Sequence, residues 1–383
     1  MVNKMKVVVA IDSFKGSLSS MDAGLAAREG ILRAVPDAQV TICPLADGGE
    51  GTVLALTQGM GGQLQRVSVT GPLGAPVMAE YGMIHNGTTA VIEMAAAAGM
   101  TLVPPEKLNP METTTFGVGE LIRDAIHRGC RNFIVGIGGS ATNDGGVGML
   151  QALGFNFLDA QGREISRGAK GLKDLRAIHT KNVLPQLAQC SFRIACDVKN
   201  PLCKARGCSA VFGPQKGADA QMIARMDAWM ADYAKLARTC CGQDYSNDPG
   251  AGAAGGLGFA FLAFTNAVLE SGIQIVMEET GMAQAICQAD LVLTGEGRLD
   301  GQTAMGKAPV GVAALAKKYG KTVLAVAGSV TRDAKDCNKK GIDAFFPIIR
   351  GVCTLTEAMA PENARANMAD TTEQIFRLLS QGF

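Results

Sequence analysis

The chain has 383 residues, enough for two domains and a large buried core. Lys plus Arg total 36 against 35 for Asp plus Glu, a balance that argues against a general nucleic-acid or membrane-surface binder, which would carry a basic excess. Glycine is abundant at 48 residues and no apolar run reaches the ~18 residues of a membrane span, so the expectation is a protein of many tight turns with no membrane partner.

In chain order, "MKVVVAI" (5–11) reads as a buried parallel strand. The loop "DSFKGS" (12–17) follows. Leu18, Met21, Leu25, Leu32 and Val35 then recur at helical spacing and predict one apolar helix face, with Ser19 as N-cap and Asp22 in the first turn. "QVTICPL" (39–45) is the next strand and completes a right-handed βαβ unit. "LQRVSVT", "VMAEYGM" and "TTAVIEM" (64–94) lie close together between turn signals, which predicts an antiparallel or mixed sheet. A helix (116–128), a strand (131–137), a helix near 145–153, a strand (192–197) and a long helix (218–240) follow. Toward the C-terminus "ADLVLT", "KTVLAVAG" and "GIDAFFPI" read as strands, "APVGVAALAKKYG" as a helix and 362–379 as a closing helix. The predicted fold class is α/β: a Rossmann-like doubly wound domain formed by both chain ends (1–66 and 287–383) plus an inserted mixed α/β domain (67–286). Eleven scattered cysteines without a CxxC spacing predict free thiols in a reducing cytoplasm.

Several loops carry more polar chemistry than turns require. "DSFKGS" lies at the carboxyl end of the first strand, the ligand-binding edge of an open α/β sheet. There Asp12 can take a proton or hold a metal, Lys15 can meet an anion, and Ser13 and Ser17 can donate hydrogen bonds. In "ADGGEGT" (46–52), Asp47 and Glu50 are spaced to hold Mg²⁺ while the glycines offer backbone amides to a phosphate. "GIGGSATNDGGVG" (136–148) runs from a strand through a glycine-rich loop into a helix. It offers Gly138 and Gly139 as an anion cradle, Ser140, Thr142 and Asn143 as donors, and Asp144 as a candidate metal ligand. "CDVKNPL" (196–202) ends a strand in Asp197, "FGPQKGA" (212–218) presents Lys216, and "PGAGAAGGLG" (249–258) serves either close nucleotide approach or tight helix packing.

"GEGRLDGQTAMGKA" (295–308) mimics a P-loop, but Ala308 stands where a Mg²⁺-binding Ser or Thr is required, which excludes a standard P-loop. Its useful residues are Glu296 for a metal, Arg298 for a carboxylate or phosphate, and Lys307 as a point charge. Glycine cradles, strand-end carboxylates and isolated cations together fit phosphoryl transfer, which needs positioning, a divalent metal and a carboxylate near the acceptor hydroxyl. A dehydrogenase is disfavoured because no G-x-G-x-x-G follows the first strand, and a non-catalytic sensor of a small acid because the carboxylates would repel its ligand.

"DSFKGSLS", "ADGGEGT", "TGPLG", "IEMAAAAG", "GIGGSATNDGG", "CDVKNPL", "FGPQKGA", "PGAGAAGGLG" and "TGEGRLD" occur in this order and resemble the bacterial glycerate kinase family over nearly the whole chain. The resemblance implies two α/β domains, one formed from both chain ends. It also implies ATP- and Mg²⁺-dependent phosphorylation of D-glycerate to 2-phosphoglycerate in the cytoplasm, serving glyoxylate or sugar-acid breakdown. The 3-phosphate, or a related hydroxy acid as acceptor, is the alternative. A homo-oligomer is left open. On this reading Asp197 is the base, with Asp12 as alternate beside Lys15. Ser13, Ser140, Asn143 and Arg298 hold the substrate. Gly138, Gly139, Thr142, Lys216, Gly252, Gly255 and Gly256 hold the nucleotide, and Asp47, Glu50 and Glu296 the Mg²⁺. One departure is Gly16, where relatives carry a larger residue.

Overall fold

The computed structural model describes residues 4–381. Its strands are β1 (Lys6–Ile11), β2 (Gln39–Ile42), β3 (Gln63–Thr70), β4 (Pro76–Ile84), β5 (Thr89–Glu93), β6 (Asn132–Gly136), β7 (Asn156–Leu158), β8 (Ala177–His179), β9 (Ser191–Ala195), β10 (Ala267–Glu270), β11 (Leu291–Leu299), β12 (Thr322–Val330) and β13 (Ala344–Pro347). The chain divides into two compact units. The first takes the chain up to Asp47, then Leu54–Gly61, then everything from Ile273 onward; the second takes Gly48–Val53 and Gly62–Gly272.

The first unit is built on a five-stranded, wholly parallel sheet in the order β13-β12-β11-β1-β2. Counted within the unit, that is strand order 2-1-3-4-5, the flavodoxin-like form of the doubly wound sheet. Strict alternation sends side chains into two cores, one on each face. Val8, Ala10, Val292, Val323 and Ala325 enter one. Val7, Val9, Ile11, Leu291, Leu293, Leu324 and Val326 enter the other. A one-residue slip of β1 would exchange the two sets, so the β-branched run "VVVAI" fixes its register against both neighbours.

The helix Ser20–Ala34 begins as its sequence dictates: Ser19 Oγ accepts from the Asp22 N–H at 3.1 Å. Its buried face is not the predicted leucine stripe. Ala23, Gly24, Ala26, Ala27, Gly30 and Ile31 are buried, and Leu25 is exposed. Small residues fit this face because the helix packs against Pro361–Leu379 at backbone distance; a Cβ on Gly30 would lie 2.0 Å from the Ala369 carbonyl oxygen.

The second unit holds a mixed six-stranded sheet, β10-β9-β6-β5-β4-β3, with β3, β4 and β5 antiparallel and β5, β6, β9 and β10 parallel. A β7–β8 hairpin stands apart from it. Phe133 and Phe192 stack at 4.7 Å between centroids inside a single large core. The units change over at 62 and 272 rather than at 66 and 286 for a simple reason. β3 starts at Gln63 and pairs with β4, while Ile273, Met282 and Ile286 bury into a core of the first unit.

Candidate active site

In the first unit the strand order reverses between β1 and β11, and the carboxyl ends of all five strands open into one cavity of about 380 Å³. Asp12 to Ser17 enter it after β1, Asp47 after β2, Glu296 to Arg298 from β11, Gly328 and Ser329 from β12, and Ile348 and Ile349 after β13. Such a topological switch point is where open α/β sheets bind ligands.

The loop after β1 is tightly built. Asp12 N–H continues the ladder to the Gly295 carbonyl at 2.8 Å, Phe14 and Leu18 exchange backbone bonds at 2.9 and 3.0 Å, and Gly16 supplies the left-handed turn at φ 75°. Phe14 is largely buried and shows one face to the cavity, which Ser13, Lys15 and Ser17 line beside it. Ser17 Oγ is buried without a protein partner, so the loop holds a hydroxyl ready for a ligand. Asp12 is 8 % exposed and accepts from the Ser13 N–H at 2.6 Å. Burial, reinforced by the nearby charges of Asp47 and Glu296, raises its carboxyl to about 7, against the opposing pull of the Ser13 bond and Lys15.

"GEGRL" is not the loop its glycines suggest: β11 runs through it to Leu299, paired with β12 as far as Val330. Gly295 is required by contact, since a Cβ there would lie 2.1 Å from the Val326 carbonyl oxygen. The strand therefore extends beyond β1 and carries Glu296 and Arg298 into the cavity. Glu296 accepts a short hydrogen bond from Thr303 Oγ1, and burial raises its carboxyl above the usual range. Arg298 pairs with Asp300 at 3.4 Å, and Lys307 lies 3.9 Å from the same carboxylate. Asp300 closes a side-chain turn on the Gln302 and Thr303 N–H groups, and a Cβ on Gly301 would meet Asp333 Oδ2 at 2.6 Å. The P-loop likeness is thus accidental.

The second unit gathers the remaining predicted residues. Asp144 is fully buried and accepts from the Thr115 N–H at 2.8 Å, Thr115 Oγ1 at 2.9 Å and the Gly146 N–H at 3.1 Å, so it holds the glycine loop together instead of facing a metal. Lys216 is buried as well; its ammonium donates to Ser140 Oγ at 2.8 Å and to the Thr142 carbonyl at 2.6 Å. Asn143 donates to Ser209 Oγ at 2.9 Å, and the side chains of Thr142 and Asn143 are inaccessible to solvent. The glycines of "PGAGAAGGLG" meet protein backbone. Added Cβ atoms would lie 2.2 Å from the Pro201 oxygen at Gly252, 2.1 Å from the Thr142 oxygen at Gly255 and 2.8 Å from Gly145 Cα at Gly256. Of the two uses the sequence left open, tight packing accounts for these three. Gly138 and Gly139 are the exposed members of their loop.

At the end of "ADGGEGT" the Gly51 and Thr52 amides, with the Val53 N–H at 2.8 Å, are taken up by Glu93. Sequence reading missed Glu93, whose only signal is a carboxylate ending the apolar run of β5. Glu50 belongs to this unit and is exposed, whereas Asp47 and Glu296 share the cavity of the first. Asp197 is exposed on the loop after β9. Among the described residues no three His, Cys, Asp or Glu side chains converge into a metal cage, and no helix is long and apolar enough to cross a membrane.

Burial lowers the Lys216 ammonium to about 8, with Cys208 and Asp144 opposing. Between that value and its ordinary 10.5 the unfolded chain binds the extra proton, so the folded state gains as pH rises through this window. Lys216→Met cannot titrate and lacks the gain. Urea unfolding at pH 7.5 and 10.5 is expected to shift the wild-type-minus-variant stability difference toward wild type by about 3 kcal/mol. A difference that stays flat with pH would contradict a desolvated ammonium.

The switch-point cavity of this doubly wound sheet collects three carboxylates, two lysines and an arginine, which makes it the candidate ligand site of the first unit. The sequence model of the glycerate kinase family matches residues 7–380. The chain is 45 % identical over 379 residues to the glycerate kinase of Haemophilus influenzae, covering 99 % of this chain and 100 % of that one. It is 46 % identical over 378 residues to the glycerate 2-kinase of Escherichia coli K12, covering 99 % of each. A crystal structure from Salmonella typhimurium LT2 superposes with a TM-score of 0.92 at 46 % identity, covering 99 % of both chains. The chain belongs to the glycerate kinase family. It is an enzyme, a kinase.

Proposed function

We propose that the protein phosphorylates D-glycerate at its 2-hydroxyl with ATP, releasing 2-phosphoglycerate and ADP. The observation that carries this reading is the buried Asp12 at the switch point, flanked by donors on its own loop and by cations from β11 onward. The Escherichia coli relative named for the 2-position supports the regiochemistry.

Asp12 accepts the proton of the acceptor hydroxyl as its oxygen attacks the transferred phosphorus. A buried carboxyl whose proton affinity is raised by desolvation suits that task better than the exposed Asp197. Lys15 and Arg298 hold the glycerate carboxylate, and Ser13 and Ser17 orient its hydroxyls. Lys307 meets the phosphate chain as a point charge. Asp47 and Glu296 are oxygen donors in the same cavity and fit Mg²⁺, which characteristically takes one or two protein carboxylates and completes its shell with water and phosphate. Bound there, the ion would neutralise charge on the transferring phosphoryl group.

The test is ADP release with D-glycerate, with L-glycerate and with no acceptor, each with and without Mg²⁺. ADP release that requires D-glycerate and Mg²⁺ together is expected. Equal release with no acceptor would overturn the reading.

A further inference from the structure

The switch-point cavity has a second character that the chemistry of glycerate does not use. Beside its charged residues the cavity carries an apolar shelf of Phe14, Ile348, Ile349, Leu355, Ala358 and Met359. Every carbon of glycerate bears oxygen, so an apolar wall gains nothing by covering it. Phosphates and Mg²⁺ are equally unsuited to it. The remaining part of the reactants is the flat purine of the phosphoryl donor, whose faces are apolar and whose edge is polar.

We infer that this shelf, formed by the segment after β13 and the helix Leu355–Met359, is the base-binding subsite of the nucleotide, and that Asn367 reads the purine edge. The inference rests on the proposed kinase reaction and names where its donor sits. Four observations carry it. Leu355 and Ile349 are 75 % and 36 % exposed, although they line a cavity, so apolar surface waits to be covered. Met359 is a flexible thioether that shapes itself to a ring face. Gly16 of the Asp12 loop packs beneath it: a Cβ there would lie 2.9 Å from Met359 Cε, so the shelf and the Asp12 loop share one wall of the cavity. Finally, Asn367 lines the cavity from the helix Pro361–Leu379, one turn beyond Ala364. Its side-chain amide both donates and accepts, which matches an adenine edge that presents a donor beside an acceptor. The shelf stays in place because Thr354 and Glu357 close a reciprocal capping box on the helix that carries it, with the Glu357 N–H donating to Thr354 Oγ1 at 3.2 Å.

The experiment uses the full-length protein and two probes, a fluorescent ADP analogue for binding and MgATP with D-glycerate for turnover. Leu355→Asp is a surface change that leaves the cores intact, and Asn367→Asp replaces the donor–acceptor edge with one that only accepts. Leu355→Asp is expected to weaken analogue binding and raise KM for ATP at least tenfold, with KM for glycerate within about twofold. Asn367→Asp is expected to lower the preference for ATP over GTP. Analogue affinity and KM for ATP unchanged in Leu355→Asp would overturn the subsite, as would a rise in KM for glycerate alone. The reaction and the subsite fail separately. A wild type that binds the analogue through the shelf yet leaves glycerate untouched removes the acceptor, not the base site. Turnover that ignores the shelf variants removes the base site, not the reaction.

Discussion

Replacing Asp12 with Asn is expected to lower turnover by about 10²–10⁴-fold while making the metal-free protein more stable at pH 8. Both effects come from one cause. The carboxylate is buried near two others and ionises only at about 7, so above that pH the folded protein carries a charge the unfolded chain would hold in water. The native carboxyl keeps its proton between 3.8 and about 7, where the unfolded one has lost it. Stability therefore falls as pH rises through this window, and the full cost, about 2–4 kcal/mol, is present above it. Asn keeps an oxygen to accept from the Ser13 N–H, fills the same space and carries no charge. Unfolding in chelator should show the variant above wild type at pH 8 and level with it near pH 4. The same substitution at Asp197, exposed on its loop, is expected to change turnover less than tenfold. Unchanged turnover in Asp12→Asn with a large loss in Asp197→Asn would return the base to the second unit.

The second large effect is structural. Gly255→Ala is expected to destabilise the second unit by about 2–4 kcal/mol, because the residue sits at φ 65° and its new methyl would lie 2.1 Å from the Thr142 carbonyl oxygen. The Gly145 N–H donates to the Gly255 carbonyl at 2.9 Å, so neither loop can retreat without losing that bond. If this glycine instead made room for a nucleotide, the variant would melt like wild type and show a raised KM for ATP. A calorimetric scan beside a KM measurement separates the two uses. The packing account predicts a drop in Tm of several degrees with KM little changed.

These cases show what was legible in the sequence and what was not. The doubly wound unit could be read because β-branched runs such as "VVVAI" are unambiguous when both faces of a strand are buried. Asp12, Asp47 and Glu296 could be singled out as candidates because ligands bind at the carboxyl edge of an open α/β sheet, and the same placement also drew attention to Asp197, which is exposed in the second unit. The face of the helix Ser20–Ala34 was misread, since leucine spacing is a signal for side-chain packing and this helix packs by backbone proximity through Ala and Gly. β11 was cut short at Thr294 because glycine ordinarily ends strands, whereas here Gly295 admits the neighbouring carbonyl and lets the strand carry Glu296 forward. Glycine in "PGAGAAGGLG" had two physical uses, and only the positions of Pro201 and Thr142, far away in sequence, distinguish them. The roles of Lys216 and Glu93 were invisible for the same reason: each is fixed by partners supplied by other loops.

The most direct test of the account is one reaction of purified protein with MgATP and D-glycerate, read by phosphorus NMR, with Asp12→Asn in parallel. The account predicts a 2-phosphoglycerate signal matched mole for mole by ADP in wild type and nearly absent in the variant. A folded wild-type protein that forms no phosphoglycerate, or one that forms 3-phosphoglycerate as its product, would contradict it.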